Sequence, residues 1–403
     1  MKKIIALLLA LTMVCALAAC GGDSGTQTEA APAETEKKGG TSVDADGSVI
    51  TNYGDNSEID FDGELPAFKV LVLYNTFTDK LGSQYKDSLE YIGEPLNIEF
   101  TFLETSSSGD EALSQIQAAL VTGYDGCIGY ASNEALAKLF QDAKVPYVCS
   151  GGMPSSQEAA ETCASYEMYL GSVIVDDYAA GYAMAEALYR DGCRNVMWNG
   201  LMRGYSGQHD QRGLGFADGV AAHDDMTLIF ENYDYAQWAD GIATAASTYP
   251  ELDGVGCTSL MENIYNTVFT EGLVGVVQIA GIDISESTGA AFENGSLSYI
   301  AGGNYATEQI CFAVLYNYML DGTRVIADPA ANLMLNNIDL NSMDEFNDYI
   351  TYLDSAVPAY TAQEILEMTH YYDESFTAEK MAELCHAYTL EDVKTRHADL
   401  IKE

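Results

Sequence analysis

The chain has 403 residues, a length typical of two domains, and a formal net charge of −43 from 18 Lys and Arg residues against 61 Asp and Glu residues. This charge argues against nucleic acid as a partner and against binding to anionic lipid headgroups through a basic patch, because both surfaces attract Lys and Arg and repel carboxylates. Hydrophobic residues make up 48% of the sequence, which allows sizeable cores and excludes disorder throughout the chain.

Residues 1–20 predict a lipoprotein signal peptide. Two lysines precede an apolar run at 4–17, which is too short for a comfortable membrane span. The run ends in Leu-Ala-Ala-Cys at 17–20, which resembles the lipobox of bacterial lipoproteins. The resemblance implies that Cys20 is linked to diacylglycerol and becomes the new N-terminus, so that the lipid holds the chain on the outer face of the cytoplasmic membrane. The alternative is an ordinary signal peptide with a chance cysteine.

Residues 21–66 predict a flexible tether. They are rich in Gly, Ser, Thr, Ala, Asp and Glu, and they show almost no aliphatic periodicity. The tether separates the signal peptide from the first apolar strand, which begins near Phe68.

The cysteines predict buried, reduced thiols rather than a disulfide framework, which remains the alternative. Those after Cys20 are odd in number, form no CxxC motif and have no spacing suited to zinc. Several lie inside apolar runs, where a free cysteine acts as a small hydrophobic residue. They are Cys127, Cys149, Cys163, Cys193, Cys257, Cys311 and Cys385.

From Phe68 onward, the sequence alternates between strand and helix patterns. Five strand signals lie between residues 68 and 175, and five more lie between residues 195 and 300. Two successive β/α units predict two parallel-sheet lobes, because parallel neighbours need crossover connections and helices supply them. The chain after these units exceeds what the second lobe requires, and its short helical patterns predict a packing appendage, with a partner-binding element as the alternative.

Short segments along the chain resemble the ribose/galactose-type periplasmic binding proteins, which are related to the ligand-binding domain of lac-type repressors. The resemblance rests on the order and spacing of segments at 68–75, 124–128, 145–148, 175–181, 211–216, 249–255 and 280–283. It implies an α/β fold of type I, with two Rossmann-like parallel-sheet lobes that are joined by three crossing segments and close on a ligand by hinge bending. The implied divisions are 67–176 plus 303–330 for the N-terminal lobe, 177–302 for the C-terminal lobe, and 331–403 for a returning segment and a helical extension.

Candidate ligand-binding residues follow the predicted strands, because ligands of open α/β sheets bind beyond the carboxyl ends of the strands. The resemblance implies that Asn75 and Phe77 supply a polar and aromatic pair, that Asp283 supplies an acid, and that Tyr235 or Trp238 supplies a stacking ring. The full candidate set is Asn75, Phe77, Ser150, Arg203, Asp210, Tyr235, Trp238, Thr258, Asp283 and Asn304.

Several of these positions depart from the family pattern. Asp210 stands where the family has Arg, Thr258 stands where it has Asn, and the Asp-Arg pair is replaced around Ser150. Asn304 lies close to the position of the hinge Gln. These departures point away from ribose and galactose, toward another monosaccharide, a polyol or an amine-bearing compound that suits Asp210 and Asp283.

These features together predict a monomeric extracytoplasmic receptor that delivers a small polar ligand, a sugar or a sugar-like molecule, to an ABC permease. A receptor of the same fold that feeds a membrane sensor is the alternative. An extracellular hydrolase is a remote alternative, since the sequence has no GxSxG, HExxH or P-loop motif. We therefore expect neither catalysis nor a cofactor, and the five scattered histidines predict no metal site.

Overall fold

The computed structural model of the protein describes most of the chain beyond its N-terminal segment. The predicted signal peptide with Cys20, and the candidate residue Tyr235, lie outside the described residues. The described ranges are 40–43, 49–53, 58–106, 109–234, 237–259, 261–355 and 357–401.

A two-stranded hairpin precedes the first lobe. Strand β1 (Gly40–Val43) pairs antiparallel with β2 (Val49–Asn52), and β2 packs against helix α1 (Lys80–Gly93). The ring of Tyr53 stacks on that of Tyr305, with centroids 6.5 Å apart. The predicted tether is therefore wrong for these residues. Thr, Val and Ile are β-branched and favour strands. The prediction missed these strands because it rested on the average composition of residues 21–66.

The first lobe is built on a parallel sheet of six strands in the order β13-β7-β6-β5-β3-β4. Helices cover both faces, which explains the continuous apolar run at 70–73 in an interior strand. Its strands are β3 (Phe68–Tyr74), β4 (Ile98–Glu104), β5 (Gly126–Gly129), β6 (Tyr147–Ser150), β7 (Tyr169–Val175) and β13 (Leu333–Leu335). Besides α1, its helices are α2 (Gly109–Leu120), α3 (Glu134–Ala143), α4 (Gln157–Ala164) and α10 (Ala306–Asp321).

The second lobe has a six-stranded sheet in the order β14-β12-β11-β10-β8-β9, parallel except for the antiparallel edge strand β14. Its strands are β8 (Asn195–Asn199), β9 (Thr227–Asn232), β10 (Gly254–Cys257), β11 (Gln278–Ile282), β12 (Leu297–Gly302) and β14 (Ile338–Leu340). Its helices are α5 (Asp177–Arg190), α6 (Gly207–Ala221), α7 (Trp238–Thr248), α8 (Met261–Thr270) and α9 (Thr288–Glu293).

The chain passes between the lobes three times. The first crossing segment is Asp176, between β7 and α5; the second is residues 303–305, between β12 and α10; and the third is residues 336–337, between β13 and β14. Both predicted five-stranded units are present, and each gains a sixth strand from the returning chain. These three-residue strands are too short to produce a periodic pattern, so they were not predicted.

The C-terminal extension, residues 341–401, is helical. Each of its helices has a Ser or Thr at the N-cap, whose hydroxyl accepts a hydrogen bond from a main-chain N–H in the first turn. The helices are α11 (Met343–Tyr352), α12 (Ala362–Glu367), α13 (Ala378–Ala387) and α14 (Leu390–His397). The sequence predicted four short helices in this region.

The prediction of buried, reduced cysteines is confirmed. All seven cysteines after Cys20 are buried and free. Burial raises the pKa of the Cys149 thiol to about 12, although hydrogen bonds partly oppose the rise, and it raises that of Cys385 to about 12 as well. In the folded protein these thiols are therefore neutral packing groups.

Candidate functional site

The candidate site is a cavity of about 350 Å³ in the cleft between the lobes, at the carboxyl ends of strands from both sheets. A wider and more open groove of about 690 Å³ lies at the amino ends of β3 and β4, and its lining comes from the first lobe alone. We place the site in the cleft, because there polar side chains of both lobes converge on one cavity.

Four residues predicted from strand ends line the cleft. Asn75 follows β3 and Ser150 ends β6 in the first lobe, whereas Asp283 follows β11 in the second. Asn304 lies in the second crossing segment, so it reaches the cleft from the hinge. The parallel topology explains this convergence, since parallel strands end at a common edge.

Asp283 has an unusual backbone conformation. Its φ is +80°, in the left-handed region that non-glycine residues rarely adopt. Its main-chain N–H donates to the Ala301 carbonyl at 3.1 Å, which ties it to β12. Its Oδ2 accepts a hydrogen bond of 2.6 Å from the Ser259 hydroxyl, which leaves Oδ1 for a ligand. A strained residue that the surrounding structure holds in place is a feature of functional sites.

Arg212, on α6, is the cation of the cleft, and its charge is already matched. It is 6% exposed, and its Nε donates to Asp177 Oδ1 at 2.6 Å, at the start of α5. Its Nη1 donates to the Thr258 carbonyl at 2.7 Å. Burial raises the pKa of Asp177, and the charge of Arg212 opposes that rise. The pair therefore joins α5, α6 and the end of β10 without leaving a net positive charge in the cleft.

His209 supplies a neutral polar ring to the cleft. Its Nδ1 lies 2.7 Å from the Thr258 hydroxyl oxygen. Burial lowers the pKa of His209 to about 3, and the neighbouring charge of Arg212 also lowers it. The imidazole is therefore uncharged at neutral pH. The predicted residue Thr258 is fully buried behind it and orients the ring rather than lining the cavity.

The aromatic wall of the cleft comes from the first lobe. Tyr74 and Tyr130 both line the cavity, and their rings meet edge to face, with centroids 5.7 Å apart. Tyr85 packs edge to face on Tyr74 at 4.9 Å from the other side. Burial raises the pKa of Tyr74, so its hydroxyl remains protonated. Rings with a hydroxyl offer a ligand both an apolar face and a hydrogen-bonding group.

The structure places two predicted polar residues away from the cavity lining. Arg203 is in an exposed loop, where its Nη2 donates to Glu231 at 2.7 Å and its guanidinium lies over the ring of Tyr233. Asp210, in the first turn of α6, accepts a hydrogen bond of 2.9 Å from the Gly204 main chain. Both side chains are occupied by contacts within the second lobe.

Two predicted aromatic residues are also outside the lining. Trp238 is 4% exposed, and its indole N–H donates to the Gly200 carbonyl at 2.6 Å, so it packs at the start of α7. Phe77 packs edge to face on Phe102, with centroids 5.2 Å apart. Tyr235, the remaining aromatic candidate, is outside the described part of the chain.

Other lining residues were missed from the sequence. Gln208, His209 and Arg212 lie on one face of α6, at the i, i+1 and i+4 positions that turn toward a common side of a helix. The sequence did offer a signal for them, because these three polar residues lie in the first turns of a helix that follows a strand end. The other lining residues outside the predicted set are Tyr74, Leu81, Tyr85, Tyr130, Gly151, Val175, Ser259 and Thr307.

Two kinds of feature are absent from the residues that the structure describes. No group of three or more His, Cys, Asp or Glu side chains is arranged to hold a metal ion there. Within the same residues, no helix is both long enough and apolar enough to cross a membrane.

Solved structures show the same fold at low sequence identity. No family model matches the chain, and no curated protein matches it. A periplasmic sugar-binding protein from Pseudomonas fluorescens has a TM-score of 0.63 at 15% identity, with 81% of this chain and 99% of that chain covered. An ABC transporter periplasmic solute-binding protein from Actinobacillus succinogenes with bound D-allose has a TM-score of 0.60 at 15% identity, with 69% of this chain and 99% of that chain covered.

A third similar structure is an ABC transporter solute-binding protein from Bacillus halodurans with bound myo-inositol. Its TM-score is 0.56 at 14% identity, with 71% of this chain and 99% of that chain covered. The chain therefore has the two-lobed α/β fold of the type I periplasmic binding proteins, as the sequence predicted. Nearly the whole length of each of these solved chains matches only part of this chain.

Proposed function

We propose that the protein is an extracytoplasmic solute-binding protein that captures a neutral polyhydroxylated ligand, a monosaccharide or a polyol, for an ABC importer. The observation that carries this proposal is the interlobe cleft, in which amide, hydroxyl and carboxylate groups of both lobes surround one cavity beside two tyrosines. Sugars and polyols are named as the ligands of proteins with the same fold, which supports the choice.

The charges of the cleft favour a neutral ligand over an anionic one. Arg212 already pairs with Asp177, so it offers little net positive charge to a phosphate or a carboxylate. Asp283 repels an anion but accepts a hydrogen bond from a ligand hydroxyl. The amides of Asn75 and Asn304 both donate and accept, which matches vicinal hydroxyl groups.

A thermal-shift screen tests the proposal. The panel is D-allose, D-galactose, D-ribose, myo-inositol, glucosamine and glucuronate. We expect a neutral member to raise Tm progressively with concentration, since a ligand that binds only the folded state adds about 2.7 kcal/mol at 100 times its Kd. Glucuronate is expected to give a smaller shift than the neutral hexoses D-allose and D-galactose. A panel with no concentration-dependent shift, or steady turnover of a glycoside by the protein, would contradict the proposal.

Asp283→Asn is expected to abolish the ligand-dependent shift while the Tm of the free protein changes little. Asparagine tolerates a positive φ and keeps the side-chain shape, but it removes the charge that strengthens a hydrogen bond to a ligand hydroxyl. Asp224→Asn, on the exposed surface of the second lobe, is the matched control. A full ligand-dependent shift in the Asp283 variant would remove this residue from the site.

We further propose that Cys20 carries a lipid anchor, on the basis of the lipobox resemblance. Cys20→Ser removes the thiol that the lipidation chemistry needs, so the variant is expected to leave the detergent phase in a Triton X-114 partition of cells that produce it. Cys15→Ser, within the predicted apolar run, serves as the control. Equal partitioning of the two variants would rule out the anchor.

A further inference from the structure

The second crossing segment is held by the C-terminal extension. The Tyr388 hydroxyl, just after α13, donates a hydrogen bond of 3.0 Å to the Gly303 carbonyl. The Tyr305 hydroxyl donates in turn to the Leu353 carbonyl at 2.8 Å, at the end of α11. Both tyrosines are buried. The segment fixed by these bonds presents Asn304 to the cleft.

The third crossing segment is tied to the same extension. The Asn336 main-chain N–H donates to the Cys385 carbonyl at 3.0 Å, and the Asn336 side chain donates to the His386 carbonyl, both at the end of α13. The neighbouring Asn337 side chain donates to the Asp176 carbonyl at 3.0 Å, in the first crossing segment. The extension therefore bonds directly to the second and third crossing segments, and the third segment bonds in turn to the first.

Helix α14 links the two lobes through ion pairs. The Lys394 ammonium lies 2.6 Å from the Asp348 carboxylate of α11, and α11 packs on α9 of the second lobe. The Arg396 guanidinium pairs with the Glu364 carboxylate of α12, and α12 packs on α10 and α1 of the first lobe. A rotation of one lobe against the other therefore strains these pairs or the packing of the helices that carry them.

The hinge itself is closely packed. Gly303 has a φ of +75°, and a Cβ atom at this position would lie 2.5 Å from Ile338 and 2.9 Å from the Tyr388 hydroxyl. Lobe opening changes the φ and ψ angles of the crossing segments. A change of ψ at Gly303 rotates the carbonyl that accepts the Tyr388 hydrogen bond, so opening at this residue strains that bond.

We propose that the C-terminal extension braces the hinge, and that Tyr388 is a positioning residue that holds Asn304 and the interlobe angle in the ligand-binding geometry. The brace raises the free energy of opening, so a larger fraction of the ligand-free protein is competent to bind. Apparent affinity rises in proportion to that fraction. The effect on affinity rests on the proposed function, whereas the effect on the hinge does not.

Tyr388→Phe tests the brace in the ligand-free, full-length mature protein. The variant keeps the buried ring and removes the hydroxyl alone. We expect faster amide hydrogen exchange at Ala306 and Asn336, whose N–H groups bond to Gly303 and Cys385, and a larger radius of gyration in X-ray scattering. Tyr372→Phe is the matched control, since it lies in the same extension with its ring against Phe61.

Lys394→Met tests the link across α14 by the same two measurements. Lys138→Met is its control, because Lys138 forms an exposed pair with Asp142 far from the hinge. If both Tyr388→Phe and Lys394→Met leave the exchange and the radius of gyration equal to those of their controls, the brace is refuted. This result would stand whether or not a ligand is found.

Calorimetric titration with D-allose and myo-inositol gives the binding readout. We expect Tyr388→Phe to weaken the Kd of whichever compound binds by about fivefold, as for the loss of one hydrogen bond, with unchanged stoichiometry. Unchanged affinity together with an opened hinge would overturn the positioning role of Tyr388. If neither compound binds, the titration uses the panel member that raises Tm; failure of the whole panel would count against the proposed function and leave the hinge measurements to decide on the brace.

Discussion

Glu308 is a carboxylic acid in the core of the first lobe. It lies in the first turn of α10, beside the cleft residue Thr307, and it is fully buried. Neither carboxyl oxygen has a close hydrogen bond to a described residue, and the nearby Ser150 side chain offsets only part of the cost of burying the charge. Burial raises the pKa of Glu308 to about 8 from its ordinary value of 4.5. The folded protein therefore holds a proton that the unfolded chain releases at neutral pH.

This difference predicts a pH dependence of stability. The contribution of Glu308 is greatest below pH 4.5 and is lost as pH rises toward 8, at about 1.4 kcal/mol per pH unit between these values. Glu308→Gln is neutral at every pH, so its free energy of unfolding should fall less between pH 5.5 and 8 than that of the unmodified protein. Urea titrations at these pH values measure the two slopes, with the surface variant Glu293→Gln as the control. Parallel slopes for all three proteins would contradict the prediction.

At the level of single residues, the sequence located strand ends better than it located side chains. Asn75, Ser150, Asp283 and Asn304 line the cleft, because their place follows from strand position and from the common edge of parallel strands. Arg203 and Trp238 also lie near strand ends, but hydrogen bonds to Glu231 and to the Gly200 carbonyl hold them away from the cavity. Which partner a side chain selects depends on residues that are distant in sequence, so periodicity does not reveal it.

At the level of elements, α5 and α6 depend on one buried ion pair. Arg212 on α6 bonds to Asp177 at the first position of α5, and both side chains are at most 8% exposed. Taking two charges out of water is costly, so such a pair contributes little compared with apolar residues of similar volume. Loss of one partner lowers stability strongly, because the other charge then stays buried without compensation.

Arg212→Met is therefore expected to lower the free energy of unfolding by about 3–5 kcal/mol. The double variant Asp177→Asn with Arg212→Met should recover a large part of this loss, because no buried charge then remains. Urea unfolding of the single and double variants in the absence of ligand gives the coupling energy. Lys138→Met breaks an exposed pair and should leave the free energy of unfolding almost unchanged. A double variant less stable than Arg212→Met would be incompatible with this account.

Helices and long strands were predictable, whereas short strands were not. The helix at Ala378–Ala387 is one of the short helical patterns that the sequence shows, since its apolar spacing and the Thr377 N-cap both mark it. The hairpin within 40–52 was assigned to the tether, because its strands are four residues long and surrounded by polar sequence. Strands β13 and β14 were missed for a similar reason, and their pairing is set by the sheets that receive them.

At the level of the whole molecule, charge repulsion opposes folding. The net charge of −43 is spread over a chain with only 18 Lys and Arg residues. Many of these cations are in exposed ion pairs, which contribute little to stability. The compact state brings the surplus carboxylates closer together than the unfolded chain does, so repulsion destabilises the folded state.

Salt is expected to stabilise the protein at pH 7. The screening length falls from about 30 Å at 0.01 M to about 3 Å at 1 M ionic strength, which weakens repulsion between separated carboxylates. The urea midpoint should therefore rise between 10 mM and 500 mM NaCl. Near the sequence pI of about 4.1 the surplus charge is small, so the same titration at pH 4.5 should show a smaller rise. Equal effects at the two pH values would show that NaCl acts by another route.

The burial of every described thiol has a consequence for the way the protein is made. Folding, rather than covalent pairing, keeps the seven thiols apart and unreactive. A chain that crosses a membrane unfolded exposes all seven at once, and thiolates attack oxidants and each other most readily while they are solvated. The yield of native protein then depends on whether the two lobes fold faster than the thiols of the unfolded chain are oxidised. Overproduction in a strongly oxidising compartment would favour scrambled disulfides, and a reducing or oxygen-free compartment would favour the native protein.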